Sequence, residues 1–345
     1  MLHSTTLLDP LEAMLVPPTP NELRVALAVP RTGPLGLTSP AVLASAALAA
    51  EEVDAAGGML DRRLALVVVD AGRAPREVAA EVGSLVLGGH VEAVVGLHTS
   101  DVHRAVERVT AGRVPYLFTP PHEGGGRLPG VALFGPGPTE QLQPVIDHLT
   151  SRSLSRWALV GSDYIWPRSV HAGAVPLIRD AGADVVGSTY VPLGSVDPEP
   201  IIEGLRRCGA QAVLLSLVGR DLATFNRAFA ASGLLGRVVR VSGALDETGL
   251  LEIDGDDSGE LYAAMEWFAA DPDEDGFVER YAARWGPVAP PLGEYAHGCY
   301  AGLQLLAQLA RQGDLDVESF PAAVARRRVT RGRLARADGI QLLAV

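Results

Sequence analysis

Short apolar runs, each followed by a stretch of helical periodicity, recur from residue 23 to about residue 243. Residues 23–29 (LRVALAV), 64–70 (LALVVVD), 91–97 (VEAVVGL) and 114–118 (VPYLF) are the first four runs. The helical stretch after the first, PAVLASAALAAEEVDAAGG, stops at Gly57-Gly58, where glycine can turn left-handed without a Cβ clash. Continuous rather than alternating apolar runs mean strands buried on both faces, as in a parallel sheet covered by helices. The pattern restarts with a helix at TEQLQPVIDHLTSR and continues through RWALVGS, ADVVGSTYV, AQAVLLSLV and RVVRVSG, with helices between them. This grammar predicts an α/β protein of two Rossmann-like lobes with parallel sheets, joined by crossover hinges. Past residue 265 the helical stretches have no strands of their own and are expected to pack back on the first lobe. The expected division is an N-terminal arm (1–21), lobe I (22–137 and 266–327), lobe II (138–265) and a C-terminal segment (328–345). Two lobes joined by several crossings leave a cleft, a favoured place for a small ligand.

The chain is long enough for two domains at 345 residues. With 48 % hydrophobic residues but only 5 % aromatics, the core must be mostly Ala, Val and Leu. The net charge is −12 and every basic side chain is Arg. Phosphate backbones need concentrated positive charge, so no direct nucleic-acid partner is expected. Cys208 and Cys299 lie far apart and form no CxxC pair; a disulfide between them is neither implied nor excluded. The first twenty residues, MLHSTTLLDPLEAMLVPPTP, read as a loose arm. They hold no Lys or Arg, and Asp9, Pro10 and Glu12 interrupt the apolar residues, which is unlike a secretory leader. No run reaches the ~18–20 apolar residues of a membrane span. The reading is cytoplasmic if Met1 is the natural start, and periplasmic or extracellular otherwise.

Ligands of open α/β sheets sit beyond the carboxyl ends of the strands, and here those ends are distinctive. HTSD follows residues 91–97. Ser100 and Asp101 are natural N-caps; equally, Ser100 and the free N–H groups of the following helix suit a ligand oxygen. FTPPHEGGG follows residues 114–118, with two prolines to stiffen it and three glycines to loosen it. It reads as a plain loop or as a ligand wall from Phe118 to His122 leading into a hinge. GSDYIWPR closes the first strand of lobe II, with Tyr164 and Trp166 two apart and Pro167 suited to the first turn of a helix. Aromatic faces with a polar tip suit a small, partly polar ligand. No G-x-S-x-G elbow, P-loop or post-strand G-x-G-x-x-G is present, so neither catalysis nor a nucleotide or other cofactor is expected. Asp271, Asp273, Asp275 and Gly276 match half of an EF-hand loop, but Ala282 stands where its bidentate Glu belongs. No metal is expected there; Asp271 and Asp273 are expected to cap the next helix. EIDGDDSGE (252–260) reads as a solvated loop at a lobe crossing.

VVGLHTSDVHRAV, LFTPPHEG and GSDYIWPRSV, in that order, resemble the amide- and urea-binding branch of the type 1 periplasmic binding proteins. The likeness covers about residues 22–325. The branch includes AmiC-like amide sensors, which restrain an AmiR-like antiterminator, and urea receptors of ABC transporters. By position, the resemblance implies that Tyr164 and Trp166 close over the ligand from lobe II while Ser100, with His98 and Thr99, meets it from lobe I. Phe118, Thr119, Pro120 and His122 fall in the matching wall. Phe118 and His122 replace tyrosines, and Pro120 replaces a ligand-bonding Thr, so the outline is kept while the hydrogen bonds change. The expectation is a non-catalytic sensor that closes on a short amide, a urea-like or an amino-acid-like compound and regulates a partner. The alternative is the solute receptor of an ABC transporter for urea, short amides or branched-chain amino acids. A second copy of the chain is a further candidate partner.

Overall fold

The computed structural model describes residues 7–253, 259–272 and 275–327, and the backbone of 333–336. Lobe I begins with β1 (Leu7–Leu8), α1 (Pro10–Leu15), β2 (Glu22–Val29), α2 (Ser39–Ala55), β3 (Arg63–Asp70) and α3 (Pro75–Leu87). It continues with β4 (Ala93–Gly96), α4 (Ser100–Thr110), β5 (Tyr116–Phe118) and β6 (Val131–Leu133). Lobe II runs through α5 (Pro138–Ser151), β7 (Arg156–Ser162), α6 (Ile165–Asp180), β8 (Asp184–Val191), α7 (Pro198–Cys208), β9 (Ala212–Ser216), α8 (Gly219–Ala230), β10 (Val239–Ser242), α9 (Glu247–Glu252) and β11 (Leu261–Met265). Three helices follow, α10 (Phe277–Trp285), α11 (Glu294–Arg311) and α12 (Phe320–Arg327), before β12 (Arg333–Arg336). The α/β fold of two parallel-sheet lobes is as expected from the apolar runs.

The sheet orders are β1-β3-β2-β4-β5-β6 and β12-β11-β10-β9-β7-β8. Leaving out the outermost β1 and β12, both lobes follow the same 2-1-3-4-5 order, and only β12 runs antiparallel to its neighbour. Strand order reverses between β2 and β4 in lobe I and between β7 and β9 in lobe II. Those two reversals are where a doubly wound sheet opens a crevice.

Burial on both faces explains the unbroken apolar runs. On β2, Leu23, Val25, Leu27 and Val29 join the cluster that holds α2 and α11, whereas Ala26 and Ala28 join the one beneath α3 and α4. On β9, Val213 and Leu215 face α7 and α8 while Ala212 and Leu214 face α5 and α6. The period-2 pleat sends alternate side chains to opposite layers. α10 and α11 pack against α2; Arg280 pairs with Glu52 at 2.7 Å and Arg284 with Glu51 at 2.7 Å, tying α10 to α2.

The N-terminal arm is a correction. Residues 7–16 are not loose: β1 pairs with β3, and the buried Arg24 guanidinium donates to the carbonyls of Ala13 (2.9 Å) and Val16 (2.7 Å) while pairing with Glu22 (2.6 Å). β1, β6, β11 and β12 are strands that the apolar-run reading leaves out, because two or three residues carry no readable period, β11 adjoins an acidic stretch and β12 is the Arg-rich RLAR; β12 also corrects the expectation of no strand past residue 265. In the EF-hand-like stretch, Asp273 lies outside the described residues. Asp271 turns back to accept from the N–H of Phe268 (3.0 Å) rather than capping, and α10 starts from Gly276 with Asp275 accepting from the N–H of Phe277 (3.2 Å). Most of the acidic loop, 254–258, also lies outside the described residues. Cys208 and Cys299 are free thiols, on α7 and α11. Among the described residues no helix is long and apolar enough to cross a membrane.

The chain passes between lobes after β6, after β11 and between α12 and β12. At the first two passages, buried Gln141 on α5 donates through Nε2 to the carbonyls of Gly243 (2.8 Å) and Ala264 (2.7 Å), fastening the ends of β10 and β11. One buried amide thus hydrogen-bonds two carbonyls from neighbouring strands.

Candidate functional site

The two sheet reversals face one another across a narrow cleft that encloses about 30 Å³. Leu35 enters it from the loop after β2, Leu97, His98, Thr99 and Ser100 from the end of β4, and Pro120 and Pro121 from the end of β5. Lobe II supplies Tyr164 and Trp166 after β7 and Val218 after β9, and Tyr295 stands on α11. Six of the nine residues singled out from the sequence therefore meet in this cleft: His98, Thr99, Ser100, Pro120, Tyr164 and Trp166.

The other three do not line it. Phe118 is buried behind His98 and stacks on His103, with ring centroids 4.1 Å apart. The Thr119 hydroxyl donates to the Gly96 carbonyl (3.2 Å), and its side chain packs on Gly302 of α11. His122 is buried at the first passage between lobes, where its Nδ1 accepts from the N–H of Gly124 (2.9 Å) and its N–H donates to Pro136 (3.0 Å). The wall is Pro120-Pro121, because the strand before it is buried on both faces and the chain turns away at His122. The glycines after it are not a free hinge either. Arg127 donates to the carbonyls of Gly124 (2.8 Å) and Gly126 (2.9 Å). Sequence reading missed Leu35, Leu97, Val218 and Tyr295, whereas Pro121 lies within the expected Phe118–His122 wall. The strand-end rule covers the first three; Tyr295, on a helix from beyond residue 265, has no such signal.

Two details of α4 differ from expectation. Its N-cap is Thr99, whose side chain makes no capping bond, and Ser100 is already helical. The first-turn N–H groups thus lack a side-chain cap and lie at the cleft, with the positive end of the helix dipole behind them. The Ser100 hydroxyl instead donates to Glu123 Oε2 at 2.7 Å. Glu123 is also ion-paired with Arg104 (3.0 Å) and Arg127 (3.2 Å).

His98 behaves as an aromatic. It sits 5.2 Å from the Phe118 ring, and Tyr116 bridges it to His103, with Tyr116 Oη 3.1 Å from His98 Nε2 and 2.8 Å from His103 Nδ1. Burial pushes the His98 pKa down to about 4 and that of His103 well below its ordinary value, so both rings are neutral near pH 7. Tyr164 has its phenol pushed well above its usual range, first by burial and then by Tyr295 and Asp101, so it stays a neutral donor. Trp166 is 5 % exposed and its Nε1–H has no hydrogen-bond partner. Apolar walls, neutral rings and one uncapped helix start make a site that can hold a small molecule.

The family model for periplasmic binding proteins matches residues 22–336. The chain belongs to that family. Solved structures agree on the fold at low identity. A periplasmic binding protein from Burkholderia mallei superposes with a TM-score of 0.78 at 14 % identity, covering 93 % of this chain and 87 % of that one. An ABC-transporter solute-binding protein from R. palustris, in complex with benzoate, gives 0.78 at 16 % over 93 % and 95 % of the two chains. The branched-chain amino acid transporter substrate-binding protein LivJ from Streptococcus pneumoniae, in complex with isoleucine, gives 0.75 at 16 % over 88 % of each. Two of these structures carry a small molecule, benzoate in one and isoleucine in the other, and this chain shares their fold.

Proposed function

We propose that this protein is the solute receptor of an ABC-type uptake system, closing on a small molecule with a compact polar head and an apolar body. The observation that carries it is the inter-lobe cleft, where an uncapped helix start and Ser100 meet three aromatic rings and a wall of Leu, Pro and Val. Helix N-termini favour an anionic or carbonyl head, and the walls favour a planar or branched body. The ligands of similar structures, benzoate and isoleucine, have that shape. His98, Thr99, Ser100 and Pro120 are the contacts proposed from lobe I, and Tyr164 and Trp166 those from lobe II. The division proposed from the sequence, with lobe II between residues 138 and 265, is consistent with the sheet that β7 to β11 build.

The sensor reading, with an amide or urea ligand and an antiterminator partner, rests on the motif resemblance and on one feature of the cleft. The unpartnered Trp166 Nε1–H suits a carbonyl oxygen as well as a carboxylate. A thermal-shift screen separates the ligand classes. A ligand at about 100 times its Kd stabilises the native state by about 2.7 kcal/mol. The receptor reading expects shifts with apolar amino acids or aromatic carboxylates. Shifts confined to short amides and urea would replace those ligands with the ones that an amide sensor and a urea receptor share.

A further inference from the structure

Ser100 has one hydroxyl proton, and Glu123 holds it. The carboxylate accepts only, and the 2.7 Å bond is of the short, charge-assisted kind. Glu123 is itself fixed: its side chain is 3 % exposed, Arg104 and Arg127 flank its other oxygen, and Arg127 is 5 % exposed. Turning the hydroxyl toward a ligand would take the hydrogen bond from a buried carboxylate oxygen. Ser100 therefore presents lone pairs to the cleft. On the opposite wall the Trp166 indole can only donate, and its Nε1–H is buried without a partner. The α4 N–H groups also only donate.

We infer that Glu123 is a positioning residue that fixes Ser100 as an acceptor, so that the cleft selects ligands whose polar head carries an N–H or O–H donor beside its acceptor oxygen. An α-ammonium carboxylate or a primary amide meets this pattern. A bare carboxylate meets the donors and places its own lone pairs against those of Ser100. This rests on the receptor reading and narrows it.

The test uses matched pairs that differ in the donor: isoleucine against 3-methylpentanoate, and benzamide against benzoate, titrated calorimetrically into the full chain. The expected result is tighter binding of the donor-bearing member, by about tenfold or more. In Ser100→Ala, which leaves the Glu123 ion pairs intact, that preference collapses. In Glu123→Gln the side-chain amide can donate to Ser100 and free its proton, so the preference shrinks or reverses. In the double variant Glu123→Gln adds nothing to Ser100→Ala. A merely structural Glu123 would lower stability or all affinities together and leave the ratio unchanged. Equal binding of the donorless members, or a ratio that survives Ser100→Ala, overturns the inference while leaving a receptor. Binding of none of the four compounds overturns the receptor reading and the inference with it.

Discussion

At the scale of single residues, the side chains of the cleft are chosen for what they cannot do as much as for what they can. His98 and His103 are kept neutral by burial, so the lobe I wall carries no charge of its own near pH 7. Tyr164 faces Tyr295 from the opposite lobe, and each phenol is held neutral by burial. Removing the Tyr164 ring takes away a planar wall and a donor. Tyr164→Ala is expected to weaken ligand binding by about 1–3 kcal/mol, the scale of a lost aromatic contact plus a hydrogen bond. Titration of the ligand found by the thermal screen checks this; unchanged affinity in a folded variant would remove Tyr164 from the site.

At the scale of elements, the second lobe crossing gathers carboxylates at chain ends. Asp246 caps α9 through the N–H of Gly249 (3.1 Å), Glu247 accepts from the N–H of Ala269 (2.6 Å), and Glu294 opens α11. Burial and mutual repulsion push Glu247 from 4.5 up to about 8, burial pushes Asp246 up to about 6, and Glu294 is raised well above its usual range. A carboxyl that holds its proton longer in the folded chain costs stability as pH rises from its unfolded value to its folded one. His98 and His171, lowered from 6.5 to about 4, act oppositely and add stability as pH rises between those values. The two trends oppose each other up to pH 6.5. Above it the histidines are neutral in both states and only the carboxyl trend remains. Stability is therefore expected to fall between pH 6.5 and 8, and Glu247→Gln should flatten that fall. Urea melts at the two pH values check it, and a flat or rising profile in the parent protein would contradict the assignment.

At the scale of the whole molecule, one loop and one glycine bring the two lobes into contact. Leu35, from the lobe I loop after β2, is buried in the lobe II cluster with Trp166 and Val218. The root of that loop is held by Asp70, whose Oδ1 accepts from the N–H groups of Arg31 (2.9 Å) and Thr32 (3.2 Å). Its tip meets Gly219, which has φ +49°, and a Cβ there would lie 1.9 Å from the Pro34 carbonyl oxygen. No relaxation of a flexible side chain can relieve that contact, because the opposing atom is backbone. Gly219→Ala should cost about 1–2 kcal/mol of local backbone strain and hold the lobes apart. The expected readout is at least a tenfold loss of affinity with a larger radius of gyration by solution scattering in the presence of ligand. Parent-like affinity would show that the Pro34–Gly219 contact is dispensable for closure. A ligand favours a closed form only by what it gains from both walls.

What was legible from the residues follows from local physics. Continuous apolar runs determined the parallel strands, their spacing determined the two lobes, and the strand-end rule pointed to His98, Thr99, Ser100, Pro120, Tyr164 and Trp166. These are consequences of period and position along a chain, and no partner from afar is needed to read them. The rest depended on what folding brings together. Phe118, Thr119 and His122 follow the same strand end but turn into the core, because the direction of a side chain is set by pleat and packing. Leu35 and Tyr295 lie about 260 residues apart in sequence, and only the crossing of α11 back to lobe I places both at the cleft. The docking of residues 7–16 by Arg24, and the capture of the Ser100 proton by Glu123, are likewise long-range pairings. A sequence shows which groups can donate or accept; which of them are already spent is decided by the neighbours that tertiary structure supplies.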